Sequence, residues 1–502
     1  MQPNPTLDTD RLIATLHRPV CDLLGCTWPL VSAGMGGVAR SELVSAVTRA
    51  GGFGFLGMVR EPVALIRDEV ERVRKATSGP FGVNLIPAAT PSSLLHAQVA
   101  TCIELQVPAV ALFWDSAPQI VKRLRDAGVL VVYQVGSLAD ARAAENAGAQ
   151  ILIVQGEEAG GHVRAHQPLH NVLSEVIPAT RLPVLAAGGI TDGEDMAIAL
   201  ALGAQGVAMG TALIPTHESF AHEYHKKRVI DALEDATVLT EAFHINWPQG
   251  ARVRVLHNSV TRGDKGDPFR SEEQLIGYEQ GRSIYLFGTD SPLRSMTGMF
   301  ECMALYAGVG ASRITTMTSV ADRIYQVLTH AAAILDLSDE SAETITTPAI
   351  SQLDDPAKEQ LAVLLNELLE SERAAVRVAS ETFSTSPEFQ LRHVVSSIRL
   401  KGARRCSVLS TAVRSLDAAP SRRTSSLYDE ALAVCDVKDR LKFLNRSQEW
   451  ITRKLQTLIP TISDPKIKHD LTMLLCSREV DTQHGDNHAA SIDIVGREED
   501  RT

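Results

Sequence analysis

The sequence predicts an α/β fold, a (β/α)8 barrel, followed by an all-α helical bundle in the last third of the chain. Three observations predict it. Eight short apolar runs follow one another before residue 210, most closing on glycine or another small residue at the C-terminal side. Helical patterns separate them, and short buried strands alternating with helices describe consecutive βα units around a parallel sheet. Between residues 356 and 480 the apolar spacing is helical.

The elements read in order. Residues 29–37 run Pro-Leu-Val-Ser-Ala-Gly-Met-Gly-Gly, a strand opening into glycines, with a helix after it through Leu43, Val44, Ala46 and Val47. Strands two to five are residues 51–57, 81–86 (with the polar Asn84 in its middle), 109–113 and 129–134. The sixth, 149–154, is a Gly-bounded apolar run; the seventh, 183–187, ends in Gly188-Gly189, and the eighth, 206–209, in Gly210-Thr211. Thr191-Asp192 is a good cap for the helix carrying Met196, Ile198, Ala199, Leu200 and Leu202. A doubly wound open sheet competes, but no Gly-x-Gly-x-x-Gly with a ribose-binding acid follows the first strand.

The sixth strand runs into Gln155-Gly-Glu-Glu-Ala-Gly-Gly-His162. Small residues followed by an imidazole let a ligand approach the backbone closely beside a group that can hold a proton. Successive Gly-rich strand ends expose backbone N–H groups, and a helix N-terminus adds a favourable dipole, so together they suit a phosphate. In a barrel of eight units this combination lies at the catalytic face. Asn84 and Gln155 each offer donor and acceptor to a cofactor, or could satisfy buried backbone groups in the barrel instead. Tyr306 could position a substrate or could pack.

Gly34-Met-Gly-Gly37, Gly82-Val-Asn84, Gln155 to His162, Ala187-Gly-Gly189 and Met209-Gly-Thr211, in that order and spacing, make residues 20 to 335 resemble the nitronate monooxygenases, FMN enzymes on a TIM barrel. The resemblance implies an FMN site at Gly34, Met35, Gly36, Asn84, Gln155, Gly160, Gly161, Gly188 and Gly189. Ala208, Met209, Gly210 and Thr211 would wrap its phosphate. It implies His162 as the catalytic base, and a lid at Trp247-Pro248 and residues 252–258. A last active-site loop would lie at Gly308-Val-Gly310, and the barrel would close with a helix from Val320 to Leu337. The implied reaction takes a nitronate or nitroalkane and O2 to a carbonyl compound and nitrite, without a metal. One departure stands out: members often continue Gly-Gly-His-Arg-Gly, and this chain reads Gly161-His162-Val163-Arg164-Ala165. NAD(P)H-dependent flavin reductases acting on enoyl thioesters or quinones share the Gly-Gly-His element and form the alternative enzymatic reading. A flavin-binding sensor or scaffold with a helical partner module is the third. His166 and His170 follow His162 at four-residue spacing, which is no metal signature, and they are expected to face solvent or the loop. Residues 217–228 read as a surface helix near the barrel mouth.

The expected domains are 1–337 for the barrel, 338–355 for a polar linker, 356–480 for a helical bundle and 481–502 for a disordered tail. In the bundle Leu361, Leu364, Leu365, Leu368 and Leu369 share one helical face, and further helices are expected at 393–400, 427–434, 441–458 and 467–475. Residues 366–373 resemble ferritin-like bundles in part. The Glu-x-x-His pair such bundles use is missing, so Glu367 and Glu370 are read as solvated carboxylates. The bundle is expected to serve homo-oligomerisation or a protein partner.

Forty-nine Lys and Arg against 60 Asp and Glu give a net charge of −11, and there is no basic stripe, which argues against nucleic acid. No apolar run has membrane-spanning length, Met-Gln-Pro-Asn-Pro is no signal-peptide core, and seven Cys without metal-ligand spacing suggest reduced thiols. A cytoplasmic location without membrane contact is the expectation. Cys21-x4-Cys26 is read as packing.

Overall fold

The structure is a computed structural model that describes residues 9–336, 355–385 and 389–478. It divides into two compact units, residues 1–332 and 333–502.

In the first unit eight strands pair in parallel. Leu30–Ser32 lies beside Gly206–Met209, followed by Val184–Ala187, Ile151–Gln155, Leu130–Val135, Ala109–Phe113, Phe81–Leu85 and Gly54–Gly57. The parallel bridge Val31–Phe53 then returns the sheet to its first strand, so the barrel closes. Helices Ser41–Arg49, Val63–Ala76, Ser92–Glu104, Pro118–Asp126, Leu138–Ala147, Leu169–Ala179, Gly193–Ala201 and Val320–Leu335 provide the outer layer. Most strand residues are buried, because one face packs inside the barrel and the other under the helices.

Val31, Phe53, Phe55, Ala111, Val132, Ile153 and Leu185 fill the interior, with the Phe53 and Phe55 rings 5.0 Å apart. The short helix Pro19–Leu24 adds Val20, Cys21 and Leu24 to this cluster and plugs the N-terminal end of the barrel. Each such side chain contributes about 1.5–3 kcal/mol by leaving water. With that end filled, the C-terminal ends of the strands are left to hold a ligand.

Residues 217–300 depart from expectation. The helix there is Glu223–Ile230, starting six residues later than expected; Glu223 and Lys227 face solvent, while His225 and Lys226 on its inner side are buried. Residues 252–256 form a strand between Thr237–Thr240 and Gly161–Val163 in an antiparallel sheet. A second antiparallel sheet joins Leu275–Glu279, Arg282–Tyr285 and Met296–Gly298. His170 is also buried, on the first turn of Leu169–Ala179, whereas His166 is exposed. The closing helix ends at Leu335, two residues before the expected boundary.

The second unit is helical: Asp355–Thr385, Phe389–Ser415, Leu427–Leu432, Val437–Leu458 and residues 465–478. Leu361, Leu365, Leu368 and Leu369 are buried as their spacing requires. Ala374, Ala375, Val378, Val395, Tyr428 and Leu444 belong to one core. Glu367 is exposed, but Glu370 is half-buried and accepts a hydrogen bond from the Ser421 hydroxyl, so it ties a loop down and is not simply solvated. Glu372 is fully buried and paired with Arg478. Among the described residues no cluster of three His, Cys, Asp or Glu is placed to hold a metal. The expected linker and tail lie, but for Asp355, outside the described residues. No described helix is long and apolar enough to cross a membrane.

Candidate active site

A cavity of about 490 Å³ opens at the C-terminal ends of the strands. Gly34, Met35, Gly36, Asn84, Gln155, Gly160, Gly161, His162, Gly188, Gly189, Ala208, Gly210 and Thr211 all line it, so one wall system collects nearly every candidate residue. Met209 is the exception: it is fully buried and absent from the lining. Strand alternation explains this, since neighbours Ala208 and Met209 must point to opposite faces.

Backbone shape brings the glycines close. Gly188 and Gly189 have φ of +102° and +71°, which a side chain would strain. A Cβ at Gly34 would stand 2.2 Å from Cβ of Asn84, so the first strand end can reach the third only as glycine. Arg313 fixes the turn after the seventh strand. Its guanidinium donates to the Gly189 carbonyl at 3.1 Å and to Asp192 and Asp195 at 2.6 and 2.8 Å. Those two acids also form the capping box of helix Gly193–Ala201. Opposite, the Thr211 hydroxyl accepts from the Gly308 N–H at 3.0 Å, joining the eighth strand end to the 308–310 loop, whose Gly308 and Gly310 face the cavity. Among the described residues the N–H groups of Gly189, Gly210 and Thr211 reach no backbone acceptor, which leaves donors at two adjacent strand ends.

Asn84 and Gln155 line the cavity while serving the backbone. Asn84 donates to the Ala111 carbonyl at 3.3 Å. Gln155 donates to the His162 carbonyl and accepts from the Arg164 N–H, both at 2.9 Å. It therefore sets the short strand Gly161–Val163 that carries His162, and that strand is paired again with Arg252–Leu256.

The His162 ring sits in an aromatic enclosure. Trp247 stacks on it with centroids 3.3 Å apart, Trp114 presents an edge at 6.3 Å and Tyr306 lies at 5.7 Å. Its Nε2 is buried and has no hydrogen-bond partner, as is Nε1 of Trp247. Burial, with a smaller push from the positive charge of Arg60, holds the imidazole well below its usual value of 6.5, so it is neutral at physiological pH. The Tyr306 hydroxyl donates to the Thr289 carbonyl at 2.8 Å, and burial pushes its pKa up, so it is no acid at neutral pH. Tyr306 thus both packs and shapes the wall.

Several lining residues carry no motif: Arg60, Glu61, His225, Glu279, Arg282 and Asp290. Arg60 follows the second strand by three residues, and position at a strand's C-terminal end is the one signal that could have found it. His225 donates from Nε2 to the Tyr306 carbonyl at 3.0 Å, since a carbonyl only accepts; its Nδ1 is then a buried, unpartnered acceptor, and burial lowers its pKa to about 4. Trp114, Arg60 and Asn246 hold φ of +86°, +57° and +68°, a concentration of left-handed backbone in non-glycine residues around the cavity.

Comparison with known proteins agrees with this geometry. Residues 17–330 match the nitronate monooxygenase family model, and residues 359–486 match a family described only as a domain of unknown function (DUF6306). A (3aS,4S,5R,7aS)-5-hydroxy-7a-methyl-1-oxo-octahydro-1H-indene-4-carboxyl-CoA dehydrogenase of Mycobacterium tuberculosis is 36% identical over 228 residues. These are 45% of this chain and 63% of that protein, so the chain spans less than two thirds of that relative. A probable nitronate monooxygenase of Staphylococcus aureus is 31% identical over 294 residues, 50% of this chain and 83% of the relative. Among solved structures, FabK from Thermotoga maritima superposes with a TM-score of 0.56 at 29% identity, covering 64% of this chain and 97% of that one. Nitroalkane oxidase from Streptomyces ansochromogenes gives a TM-score of 0.51 at 28% identity, covering 62% and 98%. The family match takes in well over half of the chain, and the protein belongs to the nitronate monooxygenase family.

Proposed function

We propose that the barrel is an FMN-dependent oxidoreductase that converts alkyl nitronates or nitroalkanes and O2 to a carbonyl compound and nitrite, with His162 as the base. The observation that carries this reading is the neutral imidazole, its Nε2 buried and unpartnered, in the wall of a cavity shared with the glycine-rich strand ends. The residues fit the cofactor. Free N–H groups at Gly189, Gly210 and Thr211 suit a phosphate, and the close approach of Gly34 to Asn84 suits a flat ring. When bound, the flavin supplies the redox chemistry and the reaction with dioxygen.

The chain's own residues do the rest. A nitroalkane α-carbon is moderately acidic, and its proton would pass to Nε2 of His162, which a neutral imidazole can accept. Gln155 holds the His162 carbonyl, so the ring keeps its direction while its charge changes. Trp114 and Trp247 exclude water from the ring, and Trp247 must leave its stacked position before a substrate can reach Nε2. A substrate that arrives already as the nitronate needs no base.

The second reading, an NAD(P)H-dependent flavin reductase, is favoured by the 36% identity to a CoA-thioester dehydrogenase and by Val163-Arg164 following His162. Anaerobic mixing of the purified holoprotein with propionate 3-nitronate, and separately with NADPH and NADH, separates them by flavin absorbance. Bleaching with the nitronate alone, then nitrite on admitting air, is the expected result. Bleaching only with a nicotinamide would move the chain to the reductases, and silence with both would favour a sensor.

A further inference from the structure

Arg60 has no role in the scheme above. Its guanidinium donates from Nη1 to the Asn246 carbonyl at 2.6 Å and from Nη2 to the Thr289 hydroxyl at 3.2 Å, both neutral acceptors. Five N–H groups are available to an arginine, so about three stay open here. Among the described residues no carboxylate lies within ion-pair distance of it. The acids of the same mouth are already matched: Glu61 to Arg40 at 2.7 Å, and Glu279 and Asp290 both to Arg282, at 2.6 and 2.8 Å. Total charge at the mouth is thereby balanced, and the asymmetry is local: Arg60 alone among these guanidiniums faces neutral partners. It lines the cavity with His162, near enough that its charge acts on both His162 and Tyr306. Its backbone is held at φ +57°, a left-handed conformation that a residue with a side chain rarely adopts, so the position is imposed by the surrounding structure.

We infer that Arg60 is the anion-recognition residue of this site, and that the substrate brings a planar, delocalised negative group to its open N–H fork beside His162. This rests on the proposed oxidation of nitro compounds for its substrate class, though the anion site itself is measurable without turnover. A fork of parallel N–H donors matches two oxygens on one atom, as in a nitronate or a carboxylate. The shared chemistry has two sources: the nitronate group itself, or a carboxylate elsewhere on the same substrate.

The test uses the full-chain holoprotein. Sodium nitrate, a planar anion like the nitronate head, is titrated at constant ionic strength set with sodium chloride, and the fluorescence of Trp114 and Trp247 beside His162 is followed. Wild type should show a saturable response. Arg60→Gln should raise the half-saturation about tenfold or more, as expected for losing charged hydrogen bonds, and Arg60→Lys should recover part of it. Thr289→Val, which removes an anchor of the guanidinium and keeps its charge, should still bind nitrate; if it fails as Arg60→Gln does, Arg60 is only structural and the inference falls. Kinetics then assign the source. A KM raised in Arg60→Gln for propane 2-nitronate and propionate 3-nitronate alike, with neutral 2-nitropropane spared, places the nitronate on Arg60. A rise confined to propionate 3-nitronate places the carboxylate there. Nitrate binding and both KM values unchanged in Arg60→Gln and Arg60→Lys would overturn the assignment. If wild type turns over neither nitronate but binds nitrate through Arg60, the proposed oxidation fails and the anion site stands.

Discussion

The imidazole of His162 and the indole of Trp247 lie face to face, 3.3 Å between centroids and 19° between planes, with the Nε2 of one and the Nε1 of the other both buried and unpartnered. Two unsatisfied buried polar groups cost about 1–3 kcal/mol each, so the pair is set to exchange this contact for hydrogen bonds to a ligand. Trp247→Ala should let water reach the imidazole. Its pKa is then expected to rise toward 6.5, and the acid limb of the pH–rate profile to move to higher pH. Histidine NMR titration of both proteins reads the shift; an unmoved His162 resonance would mean that the indole does not cause the burial.

His162→Asn should retain flavin and lose turnover of neutral nitroalkanes by about 100-fold or more, the usual scale of general-base catalysis, with a smaller loss for preformed nitronates. Steady-state oxygen uptake with the two forms of one substrate checks this, and equal losses would count against a base role.

Gln155→Leu leaves the His162 carbonyl and the Arg164 N–H without their partner. The expected cost is about 1–3 kcal/mol for each buried group. A lowered unfolding midpoint together with reduced kcat, read by thermal denaturation and initial rates, is the anticipated pair of effects.

Neighbouring glycines should separate space from backbone freedom. At Gly160 a Cβ would lie 2.5 Å from the Gly308 nitrogen and 2.6 Å from the Ala307 carbonyl carbon, both rigid backbone. At Gly161 it would meet nothing within 4 Å, but φ is +79°. Gly161→Ala should cost only the left-handed penalty of about 1–2 kcal/mol, and Gly160→Ala more, because two loops must part. Denaturant unfolding of both variants orders them.

His225 gives a pH signature. Its native pKa of about 4 lies below the unfolded value near 6.5, so between those limits the unfolded chain binds the extra proton. The stability tied to its neutral form is complete above 6.5 and falls as pH drops to about 4, by up to about 1.4 kcal/mol per pH unit. His225→Gln keeps a donor for the Tyr306 carbonyl without titrating. The stability difference between wild type and this variant should therefore shrink as pH falls through that window; a constant difference would exclude the linkage.

The barrel was legible in the sequence because each strand is a local event, an apolar run with a glycine behind it. So were the cavity-facing glycines, whose job depends on the backbone. What escaped was decided by partners distant in sequence. The antiparallel strands at 237–240 and 252–256 are stabilised by pairing in one sheet with Gly161–Val163, and the Arg-Val-Arg-Val alternation at 252–255 marks a strand without naming those partners. Arg60 acquires meaning only from Asn246 and Thr289, more than 180 residues away. The Met209-Gly-Thr211 motif groups Met209 with cavity-facing neighbours, while strand alternation turns its side chain to the other side.

The three-stranded sheet has a consequence for how the enzyme can work. His162 stands on a ladder bonded to residues 252–254 and anchored from beneath by Gln155, while Trp247 sits in the connection between Thr237–Thr240 and Arg252–Leu256, an outer strand and the central strand of that same sheet. Base and cover thus share one frame. The backbone around the cover is itself held, His244 and Ile245 by the Phe287 carbonyl and Asn246 by Arg60, so the indole can turn aside about its own side-chain bonds while the imidazole stays aimed.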